Sequence, residues 1–207
     1  TKLIDTLICI NLYPDIRIWS IRSAAYAAAC RAPLSSSFGA AHAAANGKIF
    51  GIGAALACRS FLTTLKTAVR GSTPEAVIDD FCTRKVFFSG FGRPLVEGED
   101  ERFLKLSALL EEWRYPLGET VRLLRTVIPL VKQRKNLNPN YASLLVSLMT
   151  DPPFSFDEER LTVLVHFLIS LSSYTAACDV ITNGASVPLL PLRTDDVRYT
   201  GKPQRTL

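Results

Sequence analysis

The chain has 207 residues, of which 48% are hydrophobic and 21% charged, a balance typical of a globular protein with a buried core and not of a disordered chain. Its five cysteines are scattered and odd in number, so they indicate neither a disulfide framework nor a zinc site, and they favour a reducing, cytoplasmic compartment. The net charge of +5 comes from dispersed Lys and Arg without interleaved aromatic residues, which argues against a nucleic-acid partner.

Hydrophobic periodicity predicts a mainly α protein. The first predicted helix covers 16–32, where apolar residues recur every three or four positions. The stretch 36–70 continues in helix formers but contains several glycines, so we expect two helices with a break. Ser72 to Glu75 combines cap hydroxyls, a proline suited to a first helical turn and a glutamate, and predicts a helix that ends near Thr83.

Two amphipathic helices, 101–113 and 119–132, are predicted on either side of a turn at 115–118. Pro129 should bend or shorten the second of them, because proline lacks the backbone donor that an interior helical position uses. A short helix ending at Met149 is expected to follow.

A long helix is predicted over 157–183, after the break at Pro152 and Pro153. It is apolar on nearly every side, which predicts burial, including against another subunit. Its longest apolar stretch, 161–171, falls short of the roughly 18 to 20 residues of a membrane span, so no membrane partner is expected. The tail 184–207 contains prolines and little periodicity and is predicted to be an extended arm.

Few residues suggest chemistry. Of the two histidines, His166 lies between Val165 and Phe167 on the apolar helix and is expected to be a core residue bonded to a backbone carbonyl. His42 lies among Ser, Gly and Ala, which leaves room for a ligand or for close helix packing. Further on, two glycines flank Phe91 in a loop that presents Arg93.

Four motifs, in order, resemble the citrate synthase family. GAAHAAAN, residues 39–46, is similar to the family's Gly-x-x-His-Gly-Gly-Ala-Asn, and GFGRPLVEGEDER, residues 90–102, is similar to its Gly-Phe-Gly-His followed nine residues later by an Arg. NPNYAS, residues 138–143, resembles the segment that carries the family's catalytic Asp. PLRTDDVRYTG, residues 191–201, resembles its closing arm.

The resemblance implies a citrate synthase-like helical fold, with a small domain and a truncated large domain that close over an acyl-CoA and a keto acid. Residues 1–43 would be a remnant of the large domain and 44–138 the small domain. Residues 139–207 would supply the large domain's C-terminal helices and the extended arm. A homodimer is implied, with a di- or tricarboxylate ligand and a CoA thioester as substrate, and with no other cofactor and no metal.

The same resemblance implies a set of site residues. His42 would be catalytic and hold the enol oxygen of the thioester, and the family's arginines clamp carboxylates, as bidentate guanidiniums suit them to do. The implied substrate-binding residues are Asn46, Arg93, Arg102 and Arg193, and the implied cofactor-binding residues are Gly90 and Gly92.

Several residues depart from the family pattern and argue against the family's chemistry. Arg93 stands where the family has its keto-side His, and a guanidinium does not give up a proton near neutral pH. Ala142 stands at the position of the base Asp, and a further substrate Arg aligns near Ile169. Acidic residues, including Glu97 and Glu99, follow Arg93 where family members place basic ones, which disfavours CoA phosphates.

Asp151 and Glu97 are the nearest carboxylates that could replace the absent base. Asp151 precedes two prolines and is expected to be a turn former, and Glu97 is expected to be a solvated loop charge.

Three functions therefore stay open from the sequence. They are an acyl-CoA carbon–carbon synthase or citryl-CoA lyase-like enzyme with altered residues, a non-catalytic carboxylate-binding pseudoenzyme, and an interaction subunit.

Overall fold

A computed structural model describes residues 2–13, 15–48, 51–93 and 98–183. Within these ranges the chain forms nine α-helices, and its only strand-like pairing is an isolated bridge between Phe91 and Pro139, which confirms the mainly α fold class. The helices are α1 Lys2–Leu12, α2 Trp19–Ala29, α3 Leu34–Ala45, α4 Ile52–Ala68, α5 Pro74–Thr83, α6 Glu101–Glu112, α7 Glu119–Lys135, α8 Tyr141–Thr150 and α9 Glu158–Asn183.

The helix starts follow local chemistry. The predicted break within 36–70 is confirmed between α3 and α4. The start of α5 is also as predicted, since the Thr73 hydroxyl accepts a hydrogen bond from the Ala76 amide at 3.3 Å and Pro74 occupies the first turn.

Two features of the helices differ from the predictions. Helix α1, which buries Leu3 and Leu7, was not predicted from the sequence. The expectation that Pro129 shortens α7 is wrong, because the helix continues through it to Lys135. Fully buried valines on both sides of the proline, at 127 and 131, offset the lost hydrogen bond by core packing.

The long helix α9 connects two clusters of buried side chains. Its N-terminal part packs into the larger cluster, which also contains α1 and α4 to α8. Its C-terminal part packs against α2 in a smaller cluster of Ile21, Ala25, Ala28, Ala176, Ala177 and Val180. The domain boundaries predicted from the sequence remain predictions.

Burial of α9 is one-sided. Within the single chain, the large apolar side chains Val163, Phe167, Tyr174 and Ile181 are about half exposed or more, so burial of this side against another subunit remains a prediction. By length and composition alone, α9 is long and apolar enough to cross a membrane. The apolar stretch 161–171 considered in the sequence is shorter and did not predict this. Helix α9 packs against α1, α2, α3 and α4.

Asp151, just after α8, holds the start of α7. Its carboxylate is 4% exposed and accepts hydrogen bonds from the Thr120 amide at 2.9 Å, the Thr120 hydroxyl at 2.7 Å and the Val121 amide at 3.1 Å. Only glycine at position 118 leaves room for this carboxylate, because a Cβ there would lie 2.2 Å from Asp151 Oδ2. Asp151 is therefore a structural cap for a neighbouring helix, beyond the local turn predicted for it, and its oxygens are occupied.

We expect Asp151→Ala to lower the free energy of unfolding by roughly 2–3 kcal/mol, because it leaves buried amides of α7 without an acceptor. Urea unfolding followed by far-UV circular dichroism measures the change. The matched control is Asp157→Ala, which removes an exposed carboxylate that accepts from the Arg160 amide at 2.9 Å and should cost about 0.5–1 kcal/mol. Equal losses in the two variants would contradict the buried-cap interpretation.

Candidate functional site

The loop around Phe91 is fixed against the segment that leads into α8. The Gly92 amide donates to the Asn138 carbonyl at 2.7 Å, and the Asn140 amide donates to the Gly90 carbonyl at 2.9 Å. The Asn140 side chain also donates to the Gly92 carbonyl at 2.8 Å. These backbone groups of Gly90 and Gly92 bond within the chain, and a cofactor contact at either glycine remains a prediction.

Gly90 has to be glycine on two grounds. Its φ is +92°, and an added Cβ would lie 2.7 Å from the Cys58 sulfur and 3.0 Å from the Ser143 Cβ. The loop backbone therefore lies directly on α4 and α8. Burial raises the pKa of the Cys58 thiol to about 12, so this sulfur is a neutral packing group.

Arg93 leaves this loop into a group of carboxylates. Its Nη1 lies 2.7 Å from Glu101 Oε2, its Nη2 lies 3.6 Å from Asp15 Oδ2, and its Nε lies 3.7 Å from Asp100 Oδ2. Only 11% of the side chain is exposed. The charge of Arg93 is thus compensated inside the chain, so it does not require a bound anion.

Arg17, in the turn between α1 and α2, belongs to the same network. It contacts Asp15 Oδ1 at 2.8 Å through Nε and Glu101 Oε1 at 2.9 Å through Nη1. Hydrogen bonds from Arg17 and, to a smaller degree, from Arg93 lower the pKa of Glu101 to about 2. Burial opposes ionisation of Asp15, but its hydrogen bonds from Arg17 outweigh burial and lower its pKa.

Asp100 is the buried centre of this group, with 2% of its side chain exposed. As the N-cap of α6, its Oδ1 accepts from the Arg102 amide at 3.0 Å and the Phe103 amide at 3.4 Å. Its Oδ2 accepts from the Tyr141 amide at 3.0 Å. One carboxylate therefore joins the first turns of α6 and α8.

Arg102 differs from Arg93. Its guanidinium carbon lies 4.9 Å from the centre of the Tyr141 ring, a cation–π contact, and its Nε lies 3.7 Å from Asp100 Oδ1. Nε is buried and has no hydrogen-bond partner among the described residues, while the side chain is 26% exposed. Of the two arginines in this loop region, Arg102 keeps unused donors.

His42 lies in a second polar cluster, formed between α3 and α9. Its Nδ1 is 3.2 Å from His166 Nδ1, and its Nε2 is 3.0 Å from Ser170 Oγ. The expectation that His166 is a core histidine bonded to a backbone carbonyl is wrong: its partner is His42, and its ring is half-buried. Burial, followed by the proximity of His42, lowers the pKa of His166.

One neutral tautomer of His42 satisfies all of its hydrogen-bond contacts at once. The Ser170 hydroxyl donates to the His166 carbonyl at 2.8 Å, so the Ser170 oxygen accepts from His42 Nε2–H. His42 Nδ1 then accepts from His166 Nδ1–H. Both ring nitrogens of His42 are engaged within the chain.

The remaining predicted residues lie apart or outside the described ranges. Asn46 is exposed at the C-terminal end of α3, and half-buried Ala142 lies in the first turn of α8, where it supplies no base. Across the described residues, no hydrogen bond, ion pair or ring contact joins His42 to Arg93 or Arg102. Arg193 and Glu97 lie outside the described residues.

Sequence reasoning missed the partners that define both clusters. Asp15 contacts Arg93 from a distant part of the chain, Arg17 contacts a residue 84 positions away, and His166 contacts a residue 124 positions away. A local pattern carries no signal for such pairs. The sequence pointed to Ser170 only indirectly, because it follows Ile169, near which the resemblance places a substrate Arg.

Comparison with solved structures decides the fold. Citryl-CoA lyase from Hydrogenobacter thermophilus superimposes with a TM-score of 0.74 at 18% identity, covering 100% of this chain and 78% of the lyase chain. The chain has the citrate synthase-like fold. ATP citrate lyase from Methanothrix soehngenii, in complex with citrate and coenzyme A, matches with a TM-score of 0.72 at 19% identity over 97% of this chain.

A third solved structure with the same fold is ATP citrate lyase from Methanosaeta concilii, in a substituted form with (3S)-citryl-CoA. It superimposes with a TM-score of 0.71 at 20% identity over 97% of this chain. The chain spans 34% of the length of either ATP citrate lyase. No protein-family model matches the sequence, and no curated protein matches it.

We expect the ion pairs of Glu101 to make stability depend on acid pH. The folded-state pKa of about 2 lies below the value of 4.5 for a free side chain, so the unfolded chain binds more protons between these values. The stabilisation is present above pH 4.5 and is lost as the pH falls toward 2. Because Glu101 is exposed, this contribution to the free energy of unfolding is only about 0.5–1 kcal/mol.

Urea unfolding of Glu101→Gln and the unsubstituted chain, at pH 7 and at successively lower pH, measures this contribution. The Gln variant should be less stable at pH 7, and the difference should vanish in acid. Glu99→Gln, at an exposed neighbouring position outside these ion pairs, is the control and should leave the unfolding free energy unchanged. A difference that persists in acid would contradict the assignment.

Proposed function

We propose that the chain is a non-catalytic protein of citrate synthase-like fold that binds a small di- or tricarboxylate through Arg102. The observation that carries the proposal is the Arg102 guanidinium, whose buried Nε has no hydrogen-bond acceptor among the described residues and whose central carbon lies over the Tyr141 ring. A buried donor without a partner is unfavourable, and a carboxylate oxygen is the acceptor that suits a guanidinium best.

Ligands of the structural neighbours support the same class of molecule. One of the ATP citrate lyases was solved with citrate and coenzyme A, and the other with (3S)-citryl-CoA. A carboxylate at Arg102 therefore suits both the local chemistry and the fold. The sequence resemblance offered Arg93 and Arg102 as joint clamps, whereas the proposal uses Arg102 alone, because Arg93 already bonds to Glu101 at 2.7 Å.

Three features argue against carbon–carbon bond chemistry at this site. Ala142 has no group that can remove a proton. Arg93 is paired with carboxylates and cannot act as a general acid. Both ring nitrogens of His42 are hydrogen-bonded, to His166 and Ser170, so one of these bonds would have to open before His42 could hold an enol oxygen. Loss of a general base alone removes about 10²- to 10⁴-fold of rate.

One observation favours a second candidate, an acyl-CoA synthase or citryl-CoA lyase-like enzyme with altered residues. His42 lies in a half-buried cluster with two further polar groups, His166 and Ser170. Such a cluster could hold a thioester oxygen after one of the two hydrogen bonds of His42 opens. This candidate needs a base that the described residues near His42 do not supply.

We further propose that the protein is a homodimer in the cytoplasm. The exposed apolar side chains on α9, Val163, Phe167, Tyr174 and Ile181, are where a second copy would pack. Burying such side chains on association is favourable by about 25 cal/mol per Å² of apolar surface.

Citrate should raise the melting temperature of the protein. A ligand at ten times its Kd stabilises the folded state by about 1.4 kcal/mol, which for a chain of this size is a shift of roughly 3–6 °C. Differential scanning fluorimetry with citrate, succinate and acetate at low salt measures the shift. Arg102→Gln should abolish most of it.

Arg134→Gln is the matched control for this measurement, because Arg134 is an exposed arginine ion-paired with Asp79 at 2.9 Å on another part of the chain. Its response to citrate should equal that of the unsubstituted protein. An equal loss of response in both variants, or no response to any carboxylate at millimolar concentration, would contradict the proposal.

Purified protein should release no CoA above background from acetyl-CoA with oxaloacetate, or acetyl-CoA from citryl-CoA. The expected reason is the missing base at Ala142. A thiol-reactive chromophore follows the first reaction, and chromatography follows the second. Turnover that is lost on His42→Ala would favour the enzyme over the non-catalytic protein.

A further inference from the structure

The geometry points to a binding site for one divalent transition-metal ion between α3 and α9, with His42 Nδ1 and His166 Nδ1 as its protein ligands. The two nitrogens lie 3.2 Å apart on different helices. Two nitrogens bound to one metal at about 2.05 Å are separated by about 2.9 Å at a square angle and about 3.4 Å at a tetrahedral angle. The observed separation lies between these limits.

In the tautomer that satisfies these hydrogen bonds, His42 carries the lone pair that a metal needs. Because Ser170 Oγ accepts from His42 Nε2–H, the Nδ1 of His42 is unprotonated and directed at His166. His166 becomes the second ligand when its proton moves from Nδ1 to Nε2. The proton stays on the same ring, so the neutral pair binds the metal without net proton release.

Ser170 fixes the ring of His42 in the way that metal-bound histidines require. Such histidines donate their other ring N–H to a fixed acceptor, which sets both the tautomer and the ring orientation. Here the acceptor is Ser170 Oγ at 3.0 Å, and the hydroxyl is itself fixed by its bond to the His166 carbonyl at 2.8 Å.

The ligand set selects the class of metal. Imidazole nitrogen suits Cu²⁺, Ni²⁺, Co²⁺ and Zn²⁺, with Cu²⁺ bound most tightly, whereas Ca²⁺ and Mg²⁺ need oxygen ligands. In the described part of the chain, no group of three or more His, Cys, Asp or Glu side chains converges, so water completes the coordination. This excludes a closed structural zinc site, which needs four protein ligands.

The experiment uses the untagged protein and Ni²⁺ as the probe. The chain contains only two histidines, and both belong to this site, so no other imidazole competes. Isothermal titration should give one Ni²⁺ per chain, and saturating Ni²⁺ should raise the melting temperature. His42→Phe and His166→Phe should each weaken binding at least tenfold, and Ser170→Ala should weaken it roughly 10–100-fold.

Two controls separate this site from other ligands. Cys9→Ser and Cys30→Ser remove exposed thiols and should leave Ni²⁺ binding unchanged. Arg102→Gln should also leave it unchanged, which keeps the result independent of carboxylate binding. Binding that persists in both Phe variants, that follows the thiols, or that does not saturate by about 1 mM would overturn the inference.

A measurement on the unsubstituted protein remains informative if the Phe variants do not fold. Bound Co²⁺ is paramagnetic and shifts the proton resonances of the imidazoles that coordinate it. The proton NMR spectrum of the Co²⁺-loaded protein should contain two strongly shifted exchangeable signals, from the Nε2–H groups of His42 and His166. Their absence at saturating Co²⁺ would overturn the site.

Discussion

The buried carboxylate of Asp100 determines the arrangement of the candidate site. A charge with 2% exposure is tolerated only when hydrogen bonds and opposite charges compensate it. Asp100 obtains both, from backbone amides of α6 and α8 and from guanidiniums of Arg93 and Arg102 at 3.7 Å each. The positions of the two arginines are therefore explained by this carboxylate, whether or not a ligand is bound.

The surrounding charges are balanced, which limits what the site attracts. A site with no excess positive charge does not concentrate anions by long-range steering, so selectivity depends on the geometry of donors that remain unused. The orientation of the Arg102 guanidinium on an aromatic face thus matters more than the number of arginines nearby. The balance is between three carboxylates and three guanidiniums, those of Asp15, Asp100, Glu101, Arg17, Arg93 and Arg102.

Local patterns predicted most of the helices, because periodicity and caps act over a few residues. The resemblance added the fold, which depends on motif order along the chain. Pairings between distant parts of the chain were not predictable, and they decide how Glu101 and His166 are used, since Glu101 pairs with Arg17 and His166 with His42. Pro129 was misjudged for a related reason, since helix propensity is a weak term beside the tertiary packing of Val127 and Val131. Ala142, whose side chain cannot accept a proton, was readable directly from the sequence.

The smaller cluster between α2 and the end of α9 has a consequence for how the protein opens. Four of its six buried side chains are alanines, which remove little apolar surface from water, whereas the larger cluster contains many Leu, Val and Phe side chains. Local unfolding begins where the least surface is buried, so α2 and the C-terminal turns of α9 form a less protected cooperative unit than the rest. The protein therefore has two levels of protection against amide exchange and proteolysis along one continuous helix.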